Sequence, residues 1–341
     1  KYGLDQWPGW WNGVTTGDFD EDGRLDIVAT NWGLNTKYHG RFSREHPLRL
    51  YYADFDLNGT MDLIEAYFDP NLQKIVPERR LMDMARALPF IRMRMPTHKQ
   101  YALSSIQEII GPRLKSAHQL QANTLAHMVF LNRGDSFEAH PLPAEAQWAP
   151  AFYVGVADFD GDGHEDLFLS QNFFAYQVET SRSDAGRGLW LKGDGQGNFQ
   201  AVSGQVSGVK VYGEQRGAAL ADFDRDGRID LVVTQNGNQT RLFHNVKARP
   251  GLSIQLQGPP DNPKGVGAKI RLIYAGSQGP VREIHAGAGY LSQDSPVQIL
   301  GYREKPVKVQ VQWPGSKTTE VNLTKTANYL IIGMNGLISS N

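Results

Sequence analysis

Asp158 to Ser170 reads DFDGDGHEDLFLS, a nine-residue acidic loop that runs straight into an apolar stretch of strand length. The nine-residue pattern returns at Asp18 to Asp26 (DFDEDGRLD), Asp54 to Asp62 (DFDLNGTMD) and Asp222 to Asp230 (DFDRDGRID). All four copies fit D-F-D-x-[DN]-G-x-x-D, and such a recurrence within one chain of 341 residues lies far outside chance. Self-similarity therefore comes before any other reading of this chain.

Oxygen-bearing side chains at loop positions 1, 3, 5 and 9 can wrap one hard cation, and position 7 can add its backbone carbonyl. The first candidate site is then Asp18, Asp20, Asp22, Arg24 and Asp26, and the second is Asp54, Asp56, Asn58, Thr60 and Asp62. The third is Asp158, Asp160, Asp162, His164 and Asp166, and the fourth Asp222, Asp224, Asp226, Arg228 and Asp230. Arg24, Thr60, His164 and Arg228 enter only through their carbonyls. Calcium is the ion implied, in about four sites. Glycine at position 6 is expected at positive φ, where it folds the loop back over the ion. Phe at position 2 cannot coordinate and is expected to anchor each loop in apolar packing.

An EF-hand begins alike but ends on a bidentate Glu at position 12 and sits between helices. Here position 12 is Ala29, Glu65, Leu169 and Val233, and the flanking runs LRLYYA, LDIVAT, DLFLS and DLVVT are strand-like. Each loop therefore joins two strands, and Glu65 reads as a strand residue. A plain exposed turn accounts for one acidic Gly loop as well as a metal site does. Four aligned copies favour metal, and their equal placement between strands favours a structural ion.

The rest of the composition narrows the classes. A balance of 35 basic and 36 acidic residues gives no field to gather nucleic acid. The absence of Cys excludes disulfides, thiolate metal sites and a Cys nucleophile. No apolar run reaches the roughly 18 residues of a spanning helix. The chain opens at Lys1 without a leader pattern, which is read as an N-terminus processed or cut away.

Loop starts are spaced by 36, 104 and 64 residues, compatible with β-units that carry insertions. LNRGDSFE from Leu131 and LKGDGQGNFQ from Leu191 each suggest a strand, a Gly-rich hairpin and a Phe that opens the next strand. Hairpin-linked sheets at this period point to propeller blades. Residues 1–248 are assigned to such a region, with a helical insertion at about 73–122, and residues 249–341 to a separate β-domain. About four blades are visible, either a minimal ring or part of a larger one. The insertion holds Lys74, Arg79, Arg80, Arg86, Arg92, Arg94 and Lys99 against Glu78 and Asp83; a solvated helix face is favoured over an anion-binding one.

The DFDxDGxxD loops and their following strands resemble FG-GAP/VCBS-type repeats of integrin-α-like β-propellers. The tail segments GVGAKIRL (Gly265 to Leu272), REIHAGAGYLSQDS (Arg282 to Ser295) and VQVQWPGSKTTEV (Val309 to Val321) are similar to the ASPIC/UnbV-type domain. The resemblance implies a secreted, periplasmic or cell-surface protein with calcium held at loop positions 1, 3, 5 and 9. Asn58 departs from the usual Asp and should weaken the second site.

Other motifs have structural explanations. Arg133-Gly134-Asp135 falls in a hairpin turn, as do Gly193, Gly195 and Gly197. Sequons start at Asn58, Asn238 and Asn322, and Asn58 is already a candidate ligand. HExxH, GxSxG and Walker patterns are absent. Trp7, Trp10, Trp11 and Trp32 suit a buried interface better than a sugar-stacking face. The leading function is a calcium-stabilised, exported all-β propeller that binds a protein or glycan, or acts as a scaffold, without catalysis of its own. The alternatives are a polysaccharide lyase or hydrolase on a propeller scaffold, and a structural component of a surface assembly.

Overall fold

The computed structural model describes residues 2–323 and 327–340. Strands β1 (Gly13–Gly17) and β2 (Asp26–Thr30) flank the first acidic loop, and β3 (Leu48–Ala53) and β4 (Asp62–Asp69) the second. Next come β5 (Lys74–Pro77), four short helices, α1 (Leu81–Ala87), α2 (Phe90–Arg94), α3 (His98–Ala102) and α4 (Ile106–Ile110), then β6 (His118–Ala122), β7 (Met128–Asn132) and β8 (Phe137–Pro141). Strands β9 (Ala151–Ala157) and β10 (Asp166–Gln171) flank the third loop, followed by β11 (Leu189–Gly193), β12 (Phe199–Val202) and α5 (Gly204–Ser207). The fourth loop lies between β13 (Glu214–Ala221) and β14 (Asp230–Asn236), with β15 (Asn238–Phe243) after it. The tail holds β16 (Leu252–Gln257), β17 (Lys269–Ile273), β18 (Arg282–Glu283), β19 (Gln298–Leu300), β20 (Lys308–Gln312), β21 (Thr318–Asn322), β22 (Tyr329–Gly333) and β23 (Gly336–Ser340). The chain is mostly β, in separate sheets that each leave two edges open.

Two compact units form. One is Leu4–Trp10 with Lys37–Leu125, built on a sheet ordered β5-β4-β3-β6. The stretch at 73–122, read from the sequence as a helical insertion, holds helices in its middle, and both of its ends are strands that complete this sheet. KIVP and HQLQA are too short to announce themselves beside the longer helical pattern. Leu81, Met84, Ile91, Ile109 and Ile110 of the helices pack in one core with Phe55 of the acidic loop and Ile64 of β4. A capping box starts α4: the Ser105 hydroxyl accepts from the Glu108 amide, and the Glu108 carboxylate accepts from the Ser105 amide.

The other unit is Lys1–Gly3, Trp11–Thr36 and Ala126–Asn341. It contains sheets ordered β1-β2-β7-β8, β9-β10-β11-β12 and β13-β14-β15, the last with three strands among the described residues. Strand β9 lies beside both β1 and β13, so the first strands of the three sheets are neighbours. The Asn12 amide nitrogen donates to the Ala151 carbonyl at 3.0 Å, and the Ser170 hydroxyl to the Arg216 carbonyl at 2.6 Å. The tail forms two further sheets, β19-β16-β22-β23 and β18-β17-β20-β21, around a core that includes Ile254, Ile270, Val309, Val311 and Trp313. The β16–β22 pair is parallel, and the other strand pairs are antiparallel.

Two buried polar groups bind parts of this second unit together. The Arg282 guanidinium donates from Nε to Glu165 Oε1 at 3.1 Å and from Nη1 to the Ile299 carbonyl at 2.9 Å, with the Glu165 side chain 1% and the Arg282 side chain 7% exposed. Removing one partner of a buried pair strands the other charge, at about 3–5 kcal/mol. Arg282→Met is therefore expected to lower the urea-unfolding free energy by that amount, and adding Glu165→Leu should restore most of it.

His127 is fully buried; its Nδ1 accepts from the Asn31 amide at 2.7 Å and its Nε2–H faces the Ala149 carbonyl at 3.0 Å. Burial pushes its pKa down to about 4. The unfolded imidazole titrates near 6.5, so between the two values the unfolded state binds more protons. This contribution is complete above about pH 6.5 and is lost as pH falls toward about 4, on the order of 3 kcal/mol in all. The wild type should lose more stability than His127→Gln between those pH values, measured as the difference between their urea-unfolding free energies.

Candidate metal centres

Each acidic loop is shaped by its own carboxylates before any ion is considered. The position-1 Oδ2 atoms of Asp18, Asp54, Asp158 and Asp222 accept from the glycine amide at position 6, at 3.1, 2.8, 2.7 and 2.9 Å. Oδ1 of Asp22, Asn58, Asp162 and Asp226 accepts from the position-7 amide at 2.9, 2.8, 3.0 and 2.9 Å. The position-9 Oδ2 atoms of Asp26, Asp62, Asp166 and Asp230 accept from the position-2 amide at 2.9, 3.0, 3.0 and 3.1 Å. In three loops the other position-9 oxygen reaches the sheet's third strand or the residues just beyond it, accepting from the amides of Asn132, Gly193 and Asn245 at 2.7, 2.8 and 2.8 Å.

Two residues per loop occupy the left-handed region. The position-6 glycines have φ of 81–88°, as expected. Position 4 does too, through Glu21, Leu57, Gly161 and Arg225 at φ 58, 62, 75 and 64°. Those four residues share no chemistry, so nothing in the sequence marked the second turn.

The fold brings together ligand oxygens from Asp18, Asp20 and Asp22; from Asp54, Asp56 and Asp62; from Asp158, Asp160 and Asp166; and from Asp222, Asp224 and Asp230, each set within 4.8 Å. Asp26 and Asp162 stand outside these sets, and Asp226 joins Asp224 and His244 in another. Several oxygens in the loops are buried without a hydrogen-bond partner: Asp18 Oδ1, Asp20 Oδ1, Asp56 Oδ1 and Asp160 Oδ1. Burial first, then the neighbouring carboxylates, pushes Asp18 up to about 7 despite its backbone hydrogen bonds, and burial lifts Asp26 and Asp158 to about 6. Carboxylates held this way resist carrying charge together unless a cation joins them.

Three of the position-7 side chains have partners, and two of them, Arg24 and Arg228, also pair with the position-5 carboxylates Asp22 and Asp226 of their own loops. Arg24 donates to the Asn132 carbonyl at 2.7 Å and Arg228 to the Ala248 carbonyl at 2.7 Å, while His164 pairs with Glu21. Sequence reasoning missed the side chains that face the loops from elsewhere: the cations Arg133 against Asp20 and Lys192 against Asp160 and, at 2.9 Å, Asp162, and the imidazole of His244 at 2.9 Å from Asp224. Arg133 and Lys192 stand 113 and 32 residues along the chain from the carboxylates they meet. The expected burial of position 2 holds for Phe19 and Phe55, at 2% and 1% exposed, and Phe159 packs against a core cluster. It fails for Phe223, which is 54% exposed. Phe19 is covered by Phe199 of the neighbouring sheet, whereas Phe223 meets the His244 ring at 5.5 Å and is otherwise open.

Residues 258–336 match the family described as ASPIC and UnbV. About half of the chain is also similar to cartilage acidic protein 1. The Xenopus tropicalis protein is 28% identical over 174 residues, 50% of this chain and 26% of the relative. The Mus musculus protein is 28% identical over 177 residues, again 50% and 26%. The Homo sapiens protein is 26% identical over 183 residues, 51% of this chain and 26% of the relative. This chain thus spans about a quarter of the length of the relatives it matches. No helix among the described residues is long and apolar enough to cross a membrane.

The two kinds of loop carboxylate should separate by mutation in the presence of EGTA. Asp166→Ala strands the amides of Phe159 and Gly193 and the Trp190 indole N–H, and is expected to cost at least about 2 kcal/mol. Asp160→Asn gives up only a partly exposed pairing with Lys192 and is expected to stay within about 0.5 kcal/mol of wild type. Urea titration of both variants checks the contrast.

Proposed function

We infer that the chain is an exported, calcium-stabilised β-propeller region joined to an ASPIC/UnbV-type domain, and that it serves as a binding or scaffold module for a protein or glycan. The observation that carries the metal assignment is the set of buried carboxylate oxygens without partners, on Asp18, Asp20, Asp56 and Asp160. They lie at loop positions 1 and 3, where an oxygen-ligated cation would draw its donors. The oxygen-only donor sets suit calcium or magnesium rather than zinc, and the flexible, mixed carboxylate–carbonyl loop suits calcium. Bound calcium would neutralise carboxylates that otherwise share a buried space.

The propeller reading draws support from the shared loop in successive hairpins and from the adjacency of β1, β9 and β13. The exported location draws support from the similarity to a protein named for cartilage, a tissue built of extracellular matrix. A binding or scaffold role fits that relationship.

Calcium titration followed by calorimetry and by thermal unfolding tests the reading. Several equivalents of calcium should bind, and EGTA should lower Tm. Calcium at about 100 times its dissociation constant adds about 2.7 kcal/mol per independent site. Asp160→Asn should reduce the bound count by about one while sparing apo stability. Calcium binding that is undetectable at millimolar ion, or a Tm indifferent to EGTA, would refute the assignment.

A further inference from the structure

Eight of the chain's 35 basic residues lie between Arg79 and Lys115, where the acidic residues are Asp83 and Glu108. The remaining residues carry 27 basic and 34 acidic side chains, so this helical stretch concentrates positive charge on a chain that is acidic elsewhere. A solvated face accounts for such a run when its cations are matched by carboxylates. Arg92, Arg94, Lys99, Arg113 and Lys115 are not matched: all five are exposed, and none forms an ion pair among the described residues. The Glu108 carboxylate is taken by the Lys74 ammonium at 3.0 Å and the Ser105 amide at 2.6 Å, and Asp83 is half-buried on α1.

Helix α2 is the centre of this surface. Phe90, Ile91 and, just past its end, Met95 are buried at 9%, 0% and 5% exposed, which leaves Arg92, Met93 and Arg94 as the outward arc. At about 100° per residue the two arginines flank Met93, which is 81% exposed. Neighbouring elements hold the arc in place. Arg94 donates from Nη2 to the Glu108 carbonyl of α4 at 3.1 Å, and the Gln100 side-chain amide of α3 donates to the Arg94 carbonyl at 3.5 Å. Arg92 comes within 4.0 Å of the Met82 sulfur on α1, a residue 53% exposed. The Arg113 guanidinium lies over the Phe90 ring, 4.3 Å from its centre. An arginine anchored by a carbonyl, a thioether or a ring keeps its charge and most of its five donors unused.

We propose that the face centred on α2 docks on an anionic phospholipid surface, with Met93 set between the headgroups and Arg92 and Arg94 against lipid phosphates. Lys99, Arg113 and Lys115 supply further attraction, at up to about fivefold in partition for each basic residue near the surface. Charge alone would suit an acidic polymer equally well. A polymer gains nothing from an apolar side chain placed between two cations, whereas a bilayer interface takes up both. The reading does not rest on the calcium assignment, because no metal ion takes part in it and its test is run in EGTA.

The probe is a sucrose-loaded vesicle of phosphatidylcholine with about 30% phosphatidylglycerol, co-sedimented with the whole chain in EGTA at low salt. Binding should saturate with lipid, fall at least about tenfold on phosphatidylcholine alone, and weaken as salt rises. Arg92→Glu with Arg94→Glu should lower the partition coefficient at least about tenfold, and Lys99→Glu with Lys115→Glu should do the same while leaving the Arg94 hydrogen bond in place. Met93→Ser keeps the charge and should lower it about fivefold. Val178→Ser, at a fully exposed position outside the helical stretch, should leave it unchanged. Thermal unfolding of each variant establishes that it folds. Equal partition onto neutral and anionic vesicles, or indifference to both pairs of charge reversals, overturns the proposal. So does wild-type binding by Met93→Ser beside loss in the charge variants, because the face would then read charge alone, as an acidic polymer requires.

Discussion

The aspartate at the ninth position of each acidic loop is the fixed point of the repeated unit. One carboxylate oxygen accepts from the amide at the loop's start, closing the hairpin turn on itself. In three loops the other accepts from an amide at the far end of the third strand or just beyond it, so one side chain sets loop shape and strand register together. Asp26, Asp166 and Asp230 are buried, where a hydrogen bond left unmade costs more than one made in water would add. The carboxylates at positions 1 and 3 are arranged around this anchor, and in the first three loops Asp18, Asp20, Asp56 and Asp160 each hold an oxygen that no protein donor satisfies.

The repeated pattern made the loops, their glycine turns and the strands that follow them legible, because each is a local relation within nine residues. What stayed hidden is non-local or chemically silent. Position 4 adopts positive φ with Glu, Leu, Gly or Arg in place, so the backbone imposes a conformation that no residue type advertises. Arg133 and Lys192 reach carboxylates that lie 113 and 32 residues away in sequence. Phe223 broke the expectation for its position because cover over this ring comes from a neighbouring sheet, as Phe199 covers Phe19, and that is not written in the loop. At the ends of the helical stretch, KIVP and HQLQA became strands since β3 and β4 offered open edges for them to pair with.

The tail is drawn toward the loops by its own backbone as well as by its charges. The Val281 amide donates to Asp18 at 2.9 Å, and the Thr16 hydroxyl donates to Glu283 at 2.9 Å. Asp294 accepts from the Tyr153 hydroxyl at 2.6 Å and from the Leu220 amide at 2.9 Å. These contacts touch β1, β9 and β13 or the loops that follow them, so the stretch from Val281 to Asp294 keeps the three neighbouring hairpins in one arrangement.

The Glu165–Arg282 pair bears on how such a protein can be inherited. Residues 258–336 form a recognisable sequence family, and a recognisable family invites the view of a cassette that recombination can move between genes. Arg282 lies inside that cassette, and its buried counter-charge lies more than a hundred residues upstream, within the third acidic loop. A transferred tail would arrive with a stranded guanidinium unless its new host already carried a carboxylate at the matching place. Shuffling at this boundary is therefore constrained to lineages in which loop and tail travel together, and substitutions at the two positions should be accepted in pairs.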